Sequence, residues 1–347
     1  MTLHVEVEFA AGLEQTVRKE LSASPGDDDI HHLQESDGEL HFQYAGDIRD
    51  LRRLRTVKAV YLRYEFQVSR PKALLGHENF HRILQAIELV LSSAEPGEGF
   101  RSLYISAAGA HSTVMQRIKH ELAAATKLEP ADENGDLLIR IKREPGLWVV
   151  LIRITPRPLA TREWRVCDME GALNGPVAAA MIHISDPTSN DRVVNLMSGS
   201  GTLLIERALH GKAQSIVGIE LDAAALKCAK RNIRAANIAA NVEIIQGNAT
   251  QAPLPAGFAD VMLADLPFGQ LVGSHDENIE LYPAVLREAT RIAAAQARFI
   301  LITHEVRLME RALQSSPDWT SIHTHRIELR GLHPRIFVLR KSVASVS

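Results

Sequence analysis

The sequence predicts an α/β chain. Its C-terminal half reads as a parallel sheet with helices on both faces and one antiparallel strand, and a smaller α+β region precedes it. Three observations lead there. After Asp186 and Pro187, apolar strand-like runs alternate with amphipathic helical stretches, the pattern of βαβ units. Where the first of those strands gives way to a helix stands a glycine-rich turn, Gly199–Ser200–Gly201. The last two strand-like runs, 321–330 and 335–340, are joined across Gly331–Leu332–His333–Pro334 with no helix between them. That junction implies one antiparallel strand at the end of the sheet.

The elements follow in order. Residues 3–9 alternate as a strand, and Leu13, Val17 and Leu21 sit at helical spacing. The Gly/Pro/Asp-rich stretch 22–29 reads as a loop, 38–44 as a second strand, 48–55 as a helix and 59–68 as a strand. Residues 77–91 and 111–128 carry helical apolar spacing, the latter with Ser112 and Thr113 as caps, and 100–107 reads as a strand between them. Strands 137–143 and 147–154 meet across Glu144–Pro145–Gly146, and the prolines of 155–165 predict an extended connector. A helix over 177–184 opens at Leu173–Asn174–Gly175–Pro176. Beyond it, strands are read at 192–196, 215–220, 242–246, 259–265, 297–303, 321–330 and 335–340. Helices are read at 201–210, 223–236, 281–295 and 305–315, with Leu281–Tyr282–Pro283 as a helix start and Leu286 and Ile292 on the face that packs on the sheet.

At 347 residues the chain is expected to hold two or three domains, and its 46% apolar and 23% charged composition is that of a globular protein. No apolar run is long enough to span a membrane, and the first ten residues lack a basic-then-apolar leader pattern. The two cysteines, Cys167 and Cys228, match neither a metal site nor a disulfide framework, so they read as small buried apolar groups in a reducing, cytoplasmic setting. The fifteen histidines lack ligand spacing with cysteines or acids, so no metal is expected. A net charge of −3 does not announce a nucleic-acid binder, but two segments are basic: Arg49 to Lys72, and Arg140, Lys142, Arg143, Arg153, Arg157, Arg162 and Arg165. These are solvated faces or a phosphate-binding face, and charge alone does not separate the two.

The chemistry is read from strand ends, where open α/β sheets bind ligands. Gly199 and Gly201 let backbone pass close to a ligand, and the helix from Thr202 aims amide donors at it. Leu204 breaks the dinucleotide fingerprint G-x-G-x-x-G. Glu220 ends the next strand, where a carboxylate can accept hydrogen bonds from both hydroxyls of a ribose; Asp222 reads as the cap of the following helix. Asn248, after the third strand, is either an adenine-edge contact or a turn former. Together these positions have the shape of an S-adenosylmethionine site. Asp265–Leu266–Pro267–Phe268–Gly269 then supplies what an exocyclic amine needs to become a nucleophile. The Asp265 carboxylate and the Leu266 carbonyl accept its N–H hydrogens, which localises the nitrogen lone pair. Pro267 fixes the turn, and Phe268 offers a face for an unstacked base.

These residues resemble a known family. Asp265 to Gly269 resembles the (Asn/Asp)-x-Pro-(Tyr/Phe) motif of amino-methyltransferases, and Asn195 to Thr202 with Leu203–Leu204–Ile205–Glu206 resembles their cofactor motif. Leu173 to Met181, Phe9 to Glu14, and Pro158 to Arg165 are similar to segments of the THUMP-containing RNA methyltransferases, and Val272–Gly273–Ser274 with Leu281–Tyr282–Pro283 is similar to the branch that makes N2-methylguanosine in tRNA. The resemblance implies a ferredoxin-like unit over 1–60, a THUMP RNA-binding domain over 61–157, a linker and helix over 158–185, and a Rossmann-like class I methyltransferase domain over 186–347. It implies methylation of a guanosine N2 amine in tRNA, in the acceptor stem; the alternatives are an rRNA guanine-N2 methyltransferase, or a non-catalytic RNA-binding protein with a decayed cofactor site. A cytoplasmic monomer is expected. It implies a catalytic set of Asp265, Leu266, Pro267 and Phe268. The S-adenosylmethionine set is Asn195, Ser198, Gly199, Ser200, Gly201, Thr202, Glu220, Leu221, Asn248, Ala249 and Asp265. RNA-phosphate contacts are expected from Arg140, Lys142, Arg143, Arg157, Arg162 and Arg165. The chain departs from the motif where Asn195 and Asn248 replace acids, Leu196 replaces proline and Ser198 replaces cysteine.

Overall fold

A computed structural model describes residues 2–23, 27–95, 97, 99–268, 273–329 and 331–342. The chain divides into two compact units, one holding residues 1–9 and 17–160, the other 10–16 and 161–347.

The first unit is built on a sheet of eight strands: β1 (Leu3–Glu8), β2 (Ile30–Ser36), β3 (Glu39–Tyr44), β4 (Ala59–Phe66), β5 (Ser102–Ala107), β6 (Glu129–Ala131), β7 (Leu137–Glu144) and β8 (Leu147–Arg153), in the order β2-β3-β1-β4-β8-β7-β5-β6. Only β5 runs parallel to its neighbours β6 and β7; the other pairs are antiparallel. The sequence predicts six of these strands. β2 follows the Gly/Pro/Asp-rich stretch and has no apolar alternation because it is an exposed edge strand, irregular between His31 and Gln34. β6 is three residues long, too short to show a period. The helix predicted over 48–55 shrinks to α2 (Ile48–Leu51), and α1 (Glu14–Leu21), α3 (His77–Ser92) and α4 (Thr113–Thr126) form near the predicted positions, α4 with the Ser112 side chain accepting from the Met115 amide.

A charge cluster lies within this sheet. Glu6 is fully buried, and its carboxylate is met by Arg63 Nη1 at 2.8 Å, Lys142 Nζ at 3.2 Å and His41 Nε2 at 3.2 Å. Burial alone would raise the Glu6 carboxyl, but the His41 hydrogen bond and the charges of Lys142 and Arg63 hold it at about 2.

The second unit carries the predicted α/β pattern. Its strands are β9 (Arg192–Leu196), β10 (Ser215–Glu220), β11 (Glu243–Gln246), β12 (Ala259–Asp265), β13 (Ala293–Thr303), β14 (Trp319–Arg326) and β15 (Arg335–Lys341), in the order β11-β10-β9-β12-β13-β15-β14. β9 to β13 are mutually parallel, and β15 is the antiparallel strand. It does not end the sheet as expected: the short connection returns it beside β14, but on the inner side, between β13 and β14, and β14 is the edge strand. The helices are α5 (Gly175–Ile184), α6 (Thr202–His210), α7 (Ala223–Ala235), α8 (His275–Ile292) and α9 (Val306–Gln314). Residues 175–182 of α5 are buried all round, as their unbroken apolar run demands. The core joins Leu196, Met262, Phe299, Leu301 and Phe337 of the sheet to Tyr282, Leu286 and Ile292 of α8 and Met309 of α9. Residues 10–16 belong here through Gly12: at φ 91° its Cα comes so close to β14 that a Cβ would lie 1.9 Å from the Arg326 carbonyl oxygen. Among the described residues, no helix is long and apolar enough to cross a membrane.

The cysteine expectation is corrected. Cys167 and Cys228 are bonded to each other, with Cα atoms 5.4 Å apart. Sixty-one positions separate them in sequence, and nothing in that spacing reveals that α7 brings them together.

One prediction concerns the Glu6 cluster. A carboxyl held below its ordinary value of 4.5 contributes stability above that pH and loses it as pH falls toward 2. Glu6→Gln leaves Arg63 and Lys142 without their buried anion and should cost about 3–5 kcal/mol at neutral pH. Denaturant unfolding at pH 7 and pH 3 should show that loss shrinking at the lower pH; an equal, small effect at both would contradict the assignment.

Candidate active site

Strand order reverses at β9: β10 and β11 lie on one side, β12 and β13 on the other. That reversal opens a crevice at the carboxyl ends of β9 and β12, the place where such sheets bind ligands. Leu196 pairs with Ala264, so the turn after β9 and the loop after β12 leave the sheet side by side.

The turn after β9 is tightly drawn. Met197, Gly199 and Gly201 have φ of 57°, 54° and 84°, and Gly201 directly precedes α6. The Ser198 amide donates to the Ile219 carbonyl at 2.9 Å, and the Ser198 hydroxyl lies 3.1 Å from the Asn195 carbonyl. A Cβ on Gly199 would meet nothing within 4 Å, whereas one on Gly201 would press on Ala229 of α7 at 3.2 Å. So Gly199 faces open space, and Gly201 packs the turn. Ser200 and Thr202 are buried, their hydroxyls 3.2 Å apart.

Glu220, 9% exposed, ends β10 beside this turn. One carboxylate oxygen accepts the Gly199 amide at 2.6 Å and the other the Asp222 amide at 2.9 Å. A carboxylate offers about four acceptor positions, so two remain for hydroxyls. Leu221 follows with 64% of its surface exposed, an apolar plate beside the strand end. Asp222 caps α7, its side chain accepting from the Ala225 amide at 2.7 Å. Asn248 is exposed and spends its Oδ1 on the Thr250 amide and hydroxyl, the turn-former use; Ala249 beside it is buried. Asn195 is 1% exposed, and its Nδ2 donates to the carbonyls of Leu196 and Leu263, tying β9 to β12.

Asp265 ends β12, half-buried. Among the described residues, no side chain or amide donates a hydrogen bond to its carboxylate and no cation pairs with it. Burial without a counter-charge pushes its carboxyl up to about 7. The loop that follows is held from below. The Leu266 amide donates to the Ile302 carbonyl at 3.1 Å, and the Pro267 carbonyl accepts from Asn278 Nδ2 at 3.0 Å and Tyr282 Oη at 2.8 Å. Tyr282 Oη also lies 2.6 Å from Thr303 Oγ1. Half-buried Phe268 stands 6.1 Å from the His304 ring at 41°, so its ring is not stacked on that histidine. Gly269 and Val272 lie outside the described residues.

Asn278 and Tyr282 are contributors the sequence reading passed over. It starts a helix at 281, but α8 begins at His275 and carries Pro283 inside it. The missed signal is a capping box: the Ser274 side chain accepts from the Glu277 amide, and Glu277 accepts from the Ser274 amide. A helix begun there puts Asn278 and Tyr282 four apart, on one face.

The predicted phosphate contacts divide. Arg143 and Arg157 are exposed. Arg140 is committed to Glu8 and lies over the Tyr61 ring, and Lys142 is committed to Glu6. Arg162 is buried in an ion pair with Glu206 of α6 at 2.8 Å, so its charge faces protein rather than solvent. Arg165 donates through Nη2 to the Leu173 carbonyl at 2.7 Å and to Thr202 Oγ1 at 3.0 Å, which sets it at the glycine turn.

Such a sheet, with a glycine turn and two acidic strand ends, Glu220 and Asp265, beside its switch point, is a Rossmann-like class I methyltransferase fold. Residues 162–335 match the family model UPF0020, described as an RMKL-like methyltransferase domain, and the chain belongs to that family. It is 27% identical over 186 residues to the bovine (Bos taurus) tRNA (guanine(6)-N(2))-methyltransferase THUMP3, covering 50% of this chain and 37% of that one. It is 28% identical over 191 residues to the tRNA (guanine(6)-N2)-methyltransferase of Thermus thermophilus, covering 55% of this chain and 56% of that one. The alignments thus span little more than half of these relatives at most. The crystal structure of TrmN from Thermus thermophilus superposes with a TM-score of 0.76 at 23% identity, over 99% of this chain and 100% of that one, and shows the same fold.

The Asp265 carboxyl yields a prediction about stability. Its folded value, about 7, lies above the ordinary 3.8, so the folded state holds more protons than the unfolded one between those values. Stability from this group therefore falls as pH rises from about 4 to about 7. Asp265→Asn removes the charge, so it should raise Tm at pH 8 and leave it unchanged near pH 4. Equal Tm differences at the two pH values would count against an unpaired carboxylate.

Proposed function

We propose that this chain transfers a methyl group from S-adenosylmethionine to the exocyclic N2 amine of a guanosine in tRNA, in the acceptor stem. The observation that carries the reading is the unpaired Asp265 carboxylate, joined to the Leu266 carbonyl at the strand end beside the glycine turn. The naming of the bovine and Thermus relatives as tRNA guanine-N2 methyltransferases supports the substrate.

The residues fit the cofactor. Two acceptor positions on Glu220 remain for the ribose hydroxyls, exposed Leu221 offers a surface for the adenine, and the open side of Gly199 leaves room for the chain between ribose and sulfur. When bound, S-adenosylmethionine supplies a methyl group already activated by its sulfonium, so neither a metal nor a reactive thiol is required. The chain's own task is the nucleophile. A guanine N2 lone pair is delocalised into the ring. Two acceptors, Asp265 and the Leu266 carbonyl, draw on its two hydrogens and favour a localised lone pair, and they stabilise positive charge developing on nitrogen. Asp265 can then take the proton that the methylated nitrogen sheds, since its carboxyl is raised toward neutrality. Phe268 offers its face to the base, and Asn278 and Tyr282 keep the Pro267 carbonyl turned away from it.

In the same reading, the first unit supplies the grip on RNA, with a THUMP module over 61–157 and exposed Arg143 and Arg157 among its phosphate contacts. The RNA substrate, not the bonded cysteine pair, supports a cytoplasmic location.

Asp265→Ala should lower single-turnover methyl transfer to tRNA by about 10²-fold or more, while S-adenosylhomocysteine affinity stays within a few-fold. In the wild type, kcat/KM should fall as pH drops below about 7, where Asp265 takes up its proton, and Asp265→Asn should flatten that limb. Near-normal turnover by the alanine variant would sink the assignment.

A further inference from the structure

We propose that Arg165 binds the carboxylate of the cofactor's amino-acid tail. This rests on the cofactor reading above and reassigns a residue that the sequence places among the RNA-phosphate contacts. The segment carrying Arg165 is pinned to the glycine turn at both ends. Upstream, Arg162 forms its buried ion pair with Glu206 of α6. Downstream, Cys167 is bonded to Cys228 of α7, and its amide and carbonyl are held by Asn232 at 2.9 Å each. The same Asn232 donates to the Ser200 carbonyl at 3.0 Å, inside the turn. Between these anchors, Arg165 reaches Thr202, the first residue of α6.

The two arginines differ in how their charge is met. Arg162 is hydrogen-bonded to the buried Glu206 carboxylate; Arg165 feels that charge from a distance but, among the described residues, makes no hydrogen bond to a buried carboxylate. Its nearest acid, Asp168, lies 3.5 Å away with 75% of its side chain exposed, where an ion pair is weak. Nη2 is spent on two neutral oxygens, and buried Nε has no acceptor. A guanidinium largely withdrawn from water, with Nε unmet and no buried anion hydrogen-bonded to it, is incomplete, and a carboxylate placed over Thr202 completes it. The cofactor presents one such group. With the ribose at Glu220 and the methyl directed to Asp265, the tail is left to run along the turn toward the start of α6. There amide donors and Arg165 meet a single negative charge.

The test compares two ligands that differ in that tail: S-adenosylhomocysteine, which has the carboxylate, and 5′-methylthioadenosine, which has no amino-acid end. Calorimetry on wild type, Arg165→Lys and Arg165→Met should show Met weakening S-adenosylhomocysteine by about 10- to 100-fold. Affinity for 5′-methylthioadenosine should stay within twofold, with Lys intermediate. An unchanged methylthioadenosine affinity also certifies that the Met variant is folded. Equal loss for both ligands, or no loss for either, overturns the proposal. So does a loss confined to tRNA affinity, which would return Arg165 to the phosphate contacts. If the wild type binds neither ligand, the cofactor reading itself fails and takes this assignment with it.

Discussion

A carboxylate at a strand end with no donor and no cation among the described residues is a costly group to keep, and the loop after β12 holds one in that state. Asp265 ends β12, paired with Ile302 of β13, one residue past the last rung of the ladder to β9 at Ala264 and Leu196. Burial, with no counter-charge among the described residues, raises its carboxyl toward neutrality. The next residues cannot collapse onto it. The Leu266 amide is tied to β13, and the Pro267 carbonyl is clamped by Asn278 and Tyr282 from α8, with Thr303 behind them. For the proposed reaction this rigidity is an advantage, because acceptors fixed before a substrate arrives need no reorganisation at the moment of reaction.

The asparagines that stand where the related motif carries acids acquire a physical reading from their surroundings. Asn195 directs its amide nitrogen at two carbonyl oxygens, of Leu196 and Leu263. A carboxylate in that place would face those oxygens as a second acceptor and would bring a further buried negative charge into the crevice. An amide is the group this backbone accommodates, and it leaves Asp265 as the carboxylate of the β12 end. Asn248 closes a turn through Thr250, a task that aspartate and asparagine perform alike. Beside both asparagines, Glu220 bridges the Gly199 and Asp222 amides, Gly201 leads into α6 and Asp265 ends β12.

Most of the second unit was legible because its signals are local. Period and apolar runs reveal parallel strands and their helices, and strand ends reveal where ligand contacts gather. What escaped was set by distance in sequence. The Cys167–Cys228 bond and the Arg162–Glu206 pair each need the fold to bring partners together. For that reason composition placed Arg162 and Arg165 with the surface cations, although one is buried and the other stands at the glycine turn. Edge strands such as β2 escaped for a different reason: a strand that buries little has no period to show. The late start assigned to α8, at Leu281–Tyr282–Pro283, left the capping box at Ser274 unread, and with it Asn278 and the face it shares with Tyr282.

The central claim is that the Asp265 loop presents acceptors to one amine, the N2 of a guanine. The most direct measurement is mass spectrometry of nucleosides from unmodified tRNA incubated with the purified protein and S-adenosylmethionine carrying a deuterated methyl group. Labelled N2-methylguanosine, absent when Asp265→Ala replaces the wild type, is the predicted result. Label on another nucleoside, or on a ring nitrogen of guanine, would contradict the account.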